Sequence, residues 1–139
     1  MVLFEHLLVP IASPNDAEST SAALQPYLDS VEQITAVHVI EKGGGAVDKA
    51  PLGKRKEDGE AILADVESRL GESVSVDSTI AYGTDLVETI FDAALEADAD
   101  AVAFQARGGS RIIQLLAGDT TSKLVTDPVV PVVSLPSQH

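Results

Sequence analysis

The feature that most constrains the fold is a strand without a polar face. Leu7-Leu8-Val9 sits at the centre of a segment read as strand from Leu3 to Ile11, which stops at Pro10 and the turn cluster Ser13-Pro14-Asn15-Asp16. A strand with one wet face alternates apolar and polar residues, whereas a continuous apolar run is covered on both sides. Such coverage requires crossover helices, and the pattern after the turn supplies one. From Asp16 onward Ala17, Ser21, Leu24, Leu28 and Val31 recur at spacings of three and four, with Pro26 as a kink.

The same alternation continues. Ile34–Ile40 reads as a second strand, and Lys54–Leu70 as a helix with the stripe Ile62, Leu63, Val66 and Leu70. Between them Lys42–Pro51, with three consecutive glycines, reads as either a connector or a lid. Ser73–Ala81 alternates as an edge strand does, and Gly83 turns the chain into a helix capped by Thr84 or Asp85, with Leu86, Val87, Ile90, Phe91 and Ala94 inward. Ala101–Phe104 is the fourth strand, Thr120–Val125 reads as helix, and Val129–Leu135 is the last strand. Strands alternating with helices imply right-handed crossovers: an α/β fold, an open, mostly parallel five-stranded sheet with helices on both faces, in a single domain over 1–139.

Charge bounds the partners. The 139 residues carry 22 acidic and 9 basic side chains, a formal net charge of −13, interleaved with periodic apolar residues. That excess belongs on solvated helix faces, disfavours nucleic acid and anionic membranes, and suits concentrated salt, where the Debye length shrinks to about 3 Å at 1 M. There are no cysteines, and the three histidines are scattered, so no metal centre is expected. No segment has the length of a membrane span, and the start lacks the features of a signal peptide, so a cytoplasmic location is expected.

The functional stretch is the junction after the fourth strand, from Gln105 through Arg107-Gly108-Gly109-Ser110-Arg111 to Gly118-Asp119-Thr120. A strand-to-helix junction presents free backbone N–H groups where open α/β sheets bind anions. Competing α/β readings fail at the strand ends. A phospho-accepting receiver needs carboxylates after its first and third strands, where this chain has Val9-Pro10-Ile11-Ala12 and Ala81-Tyr82-Gly83. Neither G-x-x-x-x-G-K-[ST] nor G-x-G-x-x-G after the first strand is present. His38, inside an apolar strand, reads as a packed and hydrogen-bonded histidine of core or interface, and no catalytic residue is assigned.

Leu7-Leu8-Val9-Pro10, Val37-His38-Val39-Ile40-Glu41, Gly83–Ala106 and Pro128-Val129-Val130-Pro131-Val132-Val133 together resemble the universal stress protein family, over nearly the whole chain and in a halophilic, haloarchaeal-like form. The resemblance implies a Rossmann-like sheet of the adenine nucleotide alpha hydrolase type, order 3-2-1-4-5. It also implies a homodimer joined through the last strand, by Val129, Val130, Pro131, Val132, Val133 and Leu135. In nucleotide-binding members a loop G-x-x-G-x9-G-[ST] wraps ATP phosphates. Here the second and third glycines fall on Gly108 and Gly118, while Gln105 replaces the first, Asp119 the Ser/Thr, and Ala12 an aspartate expected two residues after Pro10.

Asp119 reads as the N-cap of the following helix, where a phosphate would otherwise sit. Arg107 and Arg111 either hold an anion or neutralise that acid. The expected function is therefore a stress-response binding or assembly module with reduced or lost ATP binding and no cofactor, acting on a protein or small-molecule partner that the sequence does not name. The alternative is an ATP- or AMP-binding switch or slow ATPase of low affinity. It would use Arg107, Gly108, Gly109, Ser110, Gly118 and Thr120 on the phosphates and backbone Val39 near the base, with Pro10, Ile11, Ala12, Gln105, Arg111 and Asp119 as the other candidate nucleotide-binding positions.

Overall fold

A computed structural model describes residues 5–41, 52–105 and 128–136. The strands are β1 (His6–Pro10), β2 (Gln33–Glu41), β3 (Ser75–Gly83), β4 (Ala101–Phe104) and β5 (Val132–Ser134). They form one sheet in the order β3-β2-β1-β4-β5. Every neighbouring pair is parallel. Three helices are described: α1 (Pro14–Leu24), α2 (Leu52–Leu70) and α3 (Leu86–Glu96).

The sheet divides the core into two layers, as an apolar central strand requires. Leu7, Val9 and Ile11 pack with α1 and α2 on one side, and Leu8 packs with Ile90, Phe91 and Ala94 of α3 on the other. All four inner positions read for α2 are buried. Leu8 and Val9 are fully buried, at about 25 cal/mol per Å² of apolar surface removed from water. β1 is tied at its start as well: Asp100, just before β4, accepts hydrogen bonds from the N–H groups of Glu5 and His6 at 2.9 and 3.0 Å.

Several boundaries differ from the sequence reading, each for a local reason. α1 begins at Pro14, not Asp16, because Ser13 caps it and proline is tolerated in the first turn. It ends at Leu24 and tightens into a 3-10 turn over Gln25–Ser30, since Pro26 has no N–H with which to continue the α ladder. α2 starts at Leu52 instead of Lys54. β3 spans Ser75–Gly83 instead of Ser73–Ala81, because the N–H groups of Ser73 and Val74 both bond to the Leu70 carbonyl and so close α2.

β5 is only three residues, against the seven read as Val129–Leu135. Its ladder starts where the Pro131 carbonyl accepts from the Val102 N–H at 2.9 Å, so Val129, Val130 and Pro131 precede the strand. Leu135 lies beyond it, buried against the α1 and α2 layer instead of on the strand's outer edge. The Lys42–Pro51 segment and the Thr120–Val125 helix fall outside the described residues.

Candidate functional site

The carboxyl ends of β1 and β2 form the floor of a cavity of about 240 Å³. Pro10, Ile11 and Ala12 enter from β1 and the residues after it, Val37, His38, Val39 and Glu41 from β2, and Leu86 and Ile90 of α3 form a wall. This is the crevice outside the strand ends in which open α/β sheets hold ligands. Among the described residues the lining is mainly apolar, with one imidazole and one carboxylate. That described part of the lining suits a flat apolar ring better than a highly charged group.

Local sequence fixes this edge in three ways. The Ser13-Pro14-Asn15-Asp16 turn is a capping device: Ser13 Oγ accepts from the Asp16 N–H at 3.1 Å, and Asp16 Oδ2 reaches back to accept from the Ala12 N–H at 2.7 Å. Asp16 Oδ1 also accepts from the Thr20 hydroxyl. Asp16 is 2% exposed, the one buried carboxylate among the described residues. Sequence reading treated this cluster only as a turn, although S-x-x-D is a capping-box pattern that points to an acid returning to the chain before the helix.

His38 is the second device. Its Nδ1 lies 2.9 Å from the Ile11 carbonyl oxygen, and since a carbonyl only accepts, the proton sits on Nδ1. The ring packs on Gly59 of α2, where an added Cβ would lie 2.6 Å from His38 Cδ2. His38 thus joins the end of β1 to α2, the packed and hydrogen-bonded role read for it. Nearby, the Arg55 guanidinium of α2 donates to the Glu41 carbonyl at 2.6 Å.

The third device is the turn into α3. Asp85, not Thr84, is the cap, accepting from the Glu88 N–H at 3.0 Å. The Thr89 hydroxyl bonds to the Asp85 carbonyl, and it approaches Gly83 so closely that a Cβ there would sit 2.0 Å from it. Only glycine fits at that turn.

Gln105, at the end of β4, is fully buried, and neither its Oε1 nor its Nε2 has a hydrogen-bond partner. Gln105, although described, is not among the residues that line the cavity. Of the other sequence candidates, Pro10, Ile11, Ala12 and Val39 meet at the cavity. Arg107, Gly108, Gly109, Ser110, Arg111, Gly118, Asp119 and Thr120 lie outside the described residues. Among the described residues no group of three or more His, Asp or Glu side chains is arranged to hold a metal ion. No described helix is long and apolar enough to cross a membrane.

Known structures share this fold. A universal stress protein from Archaeoglobus fulgidus superposes with a TM-score of 0.68 at 18% identity, covering 95% of this chain and 93% of that one. The Archaeoglobus fulgidus universal stress protein in complex with dAMP gives 0.61 at 18% identity, over 98% and 100% of the two chains. A universal stress protein family protein from Arabidopsis thaliana with AMP bound gives 0.64 at 18%, over 94% and 90%. No curated protein matches the chain. The model of the universal stress protein family matches residues 3–136, nearly the entire length. The chain therefore belongs to the universal stress protein family.

Proposed function

We propose that this protein is a non-enzymatic, homodimeric stress-response module that acts through binding or partner assembly, with ATP affinity reduced or lost. The observation that carries this reading is the Ala12 N–H, already engaged by Asp16 Oδ2 at 2.7 Å. In a site that holds anions by backbone N–H groups, an internal carboxylate on one of those groups removes a donor and adds a like charge. Gln105 acts in the same direction, since it puts a side chain where the family's phosphate loop has its first glycine.

Dimerisation is supported by apolar surface beside β5. Val129 is 59% exposed, and with Leu95 of α3, 53% exposed, it lines a shallow groove. Side chains of that size left in water beside a short edge strand favour a second copy there.

The second reading, a nucleotide switch or slow ATPase, draws on the base-sized apolar slot between Ile11, Val39 and Leu86 and on neighbours solved with AMP and dAMP. Isothermal calorimetry with Mg-ATP and with AMP in high salt separates the two. Binding weaker than about millimolar for ATP is expected, equivalent to about −4 kcal/mol. Low-micromolar ATP binding overturns the first reading. The variant combining Ala12→Asp, Gln105→Gly and Asp119→Ser should bind more tightly than the parent.

A further inference from the structure

β3 is an outer strand, and its nine residues pair with β2 without a break from Ser75 to Gly83. Among the described residues no strand lies beside its other edge, which presents a long row of backbone N–H and C=O groups. Edges of this kind are normally blunted by prolines, bulges, short length or outward charge. β3 has no proline, its register shows no bulge, and its one carboxylate, Asp77, accepts from Gln33 Nε2 at 2.6 Å. The opposite outer strand, β5, has three residues and follows Pro131.

On the α3 side of this edge lies an open cleft of about 710 Å³, larger than the strand-end cavity. Its floor is polar where a two-layered sheet is usually apolar: His6 Nε2 meets Thr35 Oγ1 at 2.6 Å, and Gln33 meets Asp77 beside them. Its rim carries Asp77, Asp85, Glu88, Asp92 and Glu96, and among the described residues neither lysine nor arginine lines it.

We infer that the β3 edge and this cleft form a docking surface for an extended basic segment of a partner protein, which adds a strand to the sheet and lays alternate lysine or arginine side chains over the cleft. The geometry follows from strand alternation. Along β3, Val76 and Ile80 pack toward the α1 and α2 layer, and Ala81 packs toward α3. Asp77 and Thr79, in phase with Ala81, share the α3 side. An added strand about 4.8 Å away carries the same two-sided pattern, so every second side chain overhangs the carboxylates.

Charge selects the occupant. Antiparallel pairing of two copies of β3 would bring two such carboxylate sets together on chains of formal charge −13 each, so a second copy is the wrong partner. A basic segment neutralises the rim, while backbone pairing supplies the part of the affinity that salt does not screen.

The probe is an acetylated and amidated peptide matching the nine residues of β3, alternating threonine and lysine. It is titrated into the 15N-labelled full chain in potassium chloride at a concentration where circular dichroism shows native helix content. Expected are saturable shifts confined to residues 75–83 and 86–97, about tenfold weaker binding by the Asp92→Asn/Glu96→Gln variant, and loss of binding when glutamate replaces the lysines. A peptide N-methylated along one edge should also bind about tenfold more weakly.

Equal binding by the N-methylated peptide overturns the proposal, because charge alone then explains the contact. Shifts spread over all acidic surfaces, or an unresponsive β3, overturn it too. Concentration-dependent shifts of β3 without peptide identify a second copy as the occupant and refute the basic partner. The proposal is independent of nucleotide binding, which the calorimetry measures separately.

Discussion

Replacing Asp16 tests whether a buried carboxylate holds the strand-end site together. Its Oδ2 accepts from the Ala12 N–H at 2.7 Å, and its Oδ1 accepts from Thr20, whose side chain is fully buried. Hydrogen bonds to a charged acceptor contribute about 1.5–3 kcal/mol each. An acid in the first turn of α1 adds about 0.3–1 kcal/mol through the helix dipole. Against these stands the desolvation of the carboxylate, several kcal/mol, which the alanine variant recovers. Thr20 can also turn its hydroxyl to the carbonyl four residues earlier.

The net loss for Asp16→Ala is about 2–4 kcal/mol. Asp16→Asn keeps an acceptor for Ala12 and a partner for Thr20 but loses the charge, so about 1–2 kcal/mol is expected. At about 2.1 cal/mol/K per residue, the unfolding entropy of the chain is about 0.3 kcal/mol/K, so the alanine variant should melt about 7–14 °C lower and the asparagine variant about 3–7 °C lower. Circular dichroism melts in one salt buffer read both. An alanine variant melting within about 2 °C of the parent would show that the carboxylate is no support. An asparagine variant as damaged as the alanine one would show that charge, not hydrogen-bond geometry, matters.

Gly59→Ala sets helix propensity against packing: alanine contributes about 1 kcal/mol to α2, but its methyl would lie 2.6 Å from His38 Cδ2. The ring must leave the Ile11 carbonyl, so a net destabilisation of about 0.5–2 kcal/mol is expected in denaturant melts, and a stabilised variant refutes the packing argument. Stability should rise from dilute to molar potassium chloride, because the described carboxylates other than Asp16 lie at or near the surface and repel one another; a melting temperature constant across that range counts against this. Light scattering in molar salt should give a dimer at high micromolar concentration. Val129→Lys with Leu95→Lys should yield monomer, and a parent protein already monomeric there sinks the β5 interface.

The fold was legible because burial on both sides of a sheet leaves two clear periods, the apolar run of Leu7-Leu8-Val9 and the stripe Ile62, Leu63, Val66, Leu70. The ends were less so. Helix and strand termini depend on which carbonyl a given N–H finds, as when Ser73 and Val74 turn back to Leu70, or where the ladder of β5 begins at Pro131. Propensity does not encode that choice. At the site, the wall positions Pro10, Ile11, Ala12 and Val39 could be read from strand ends. Asp16 was missed because it acts four residues from the amide it engages. The His38 contact with Gly59 was missed because the two come together only through packing of α2 on the sheet.

The central place of β1 also sets a schedule for synthesis. Its β2 neighbour is made within the first third of the chain, but β4, which closes its other side, begins only at Ala101. At about 5–20 residues per second, roughly 5–20 s pass between the release of Pro10 and that of Ala101. During that interval the nascent chain holds a half-built sheet whose right-hand border, Leu7 and Leu8, is apolar and open. Two such chains on one message are each other's nearest hazard, and the acidic residues made before β4, 20 of the chain's 22, repel them before the last strands arrive to finish the sheet.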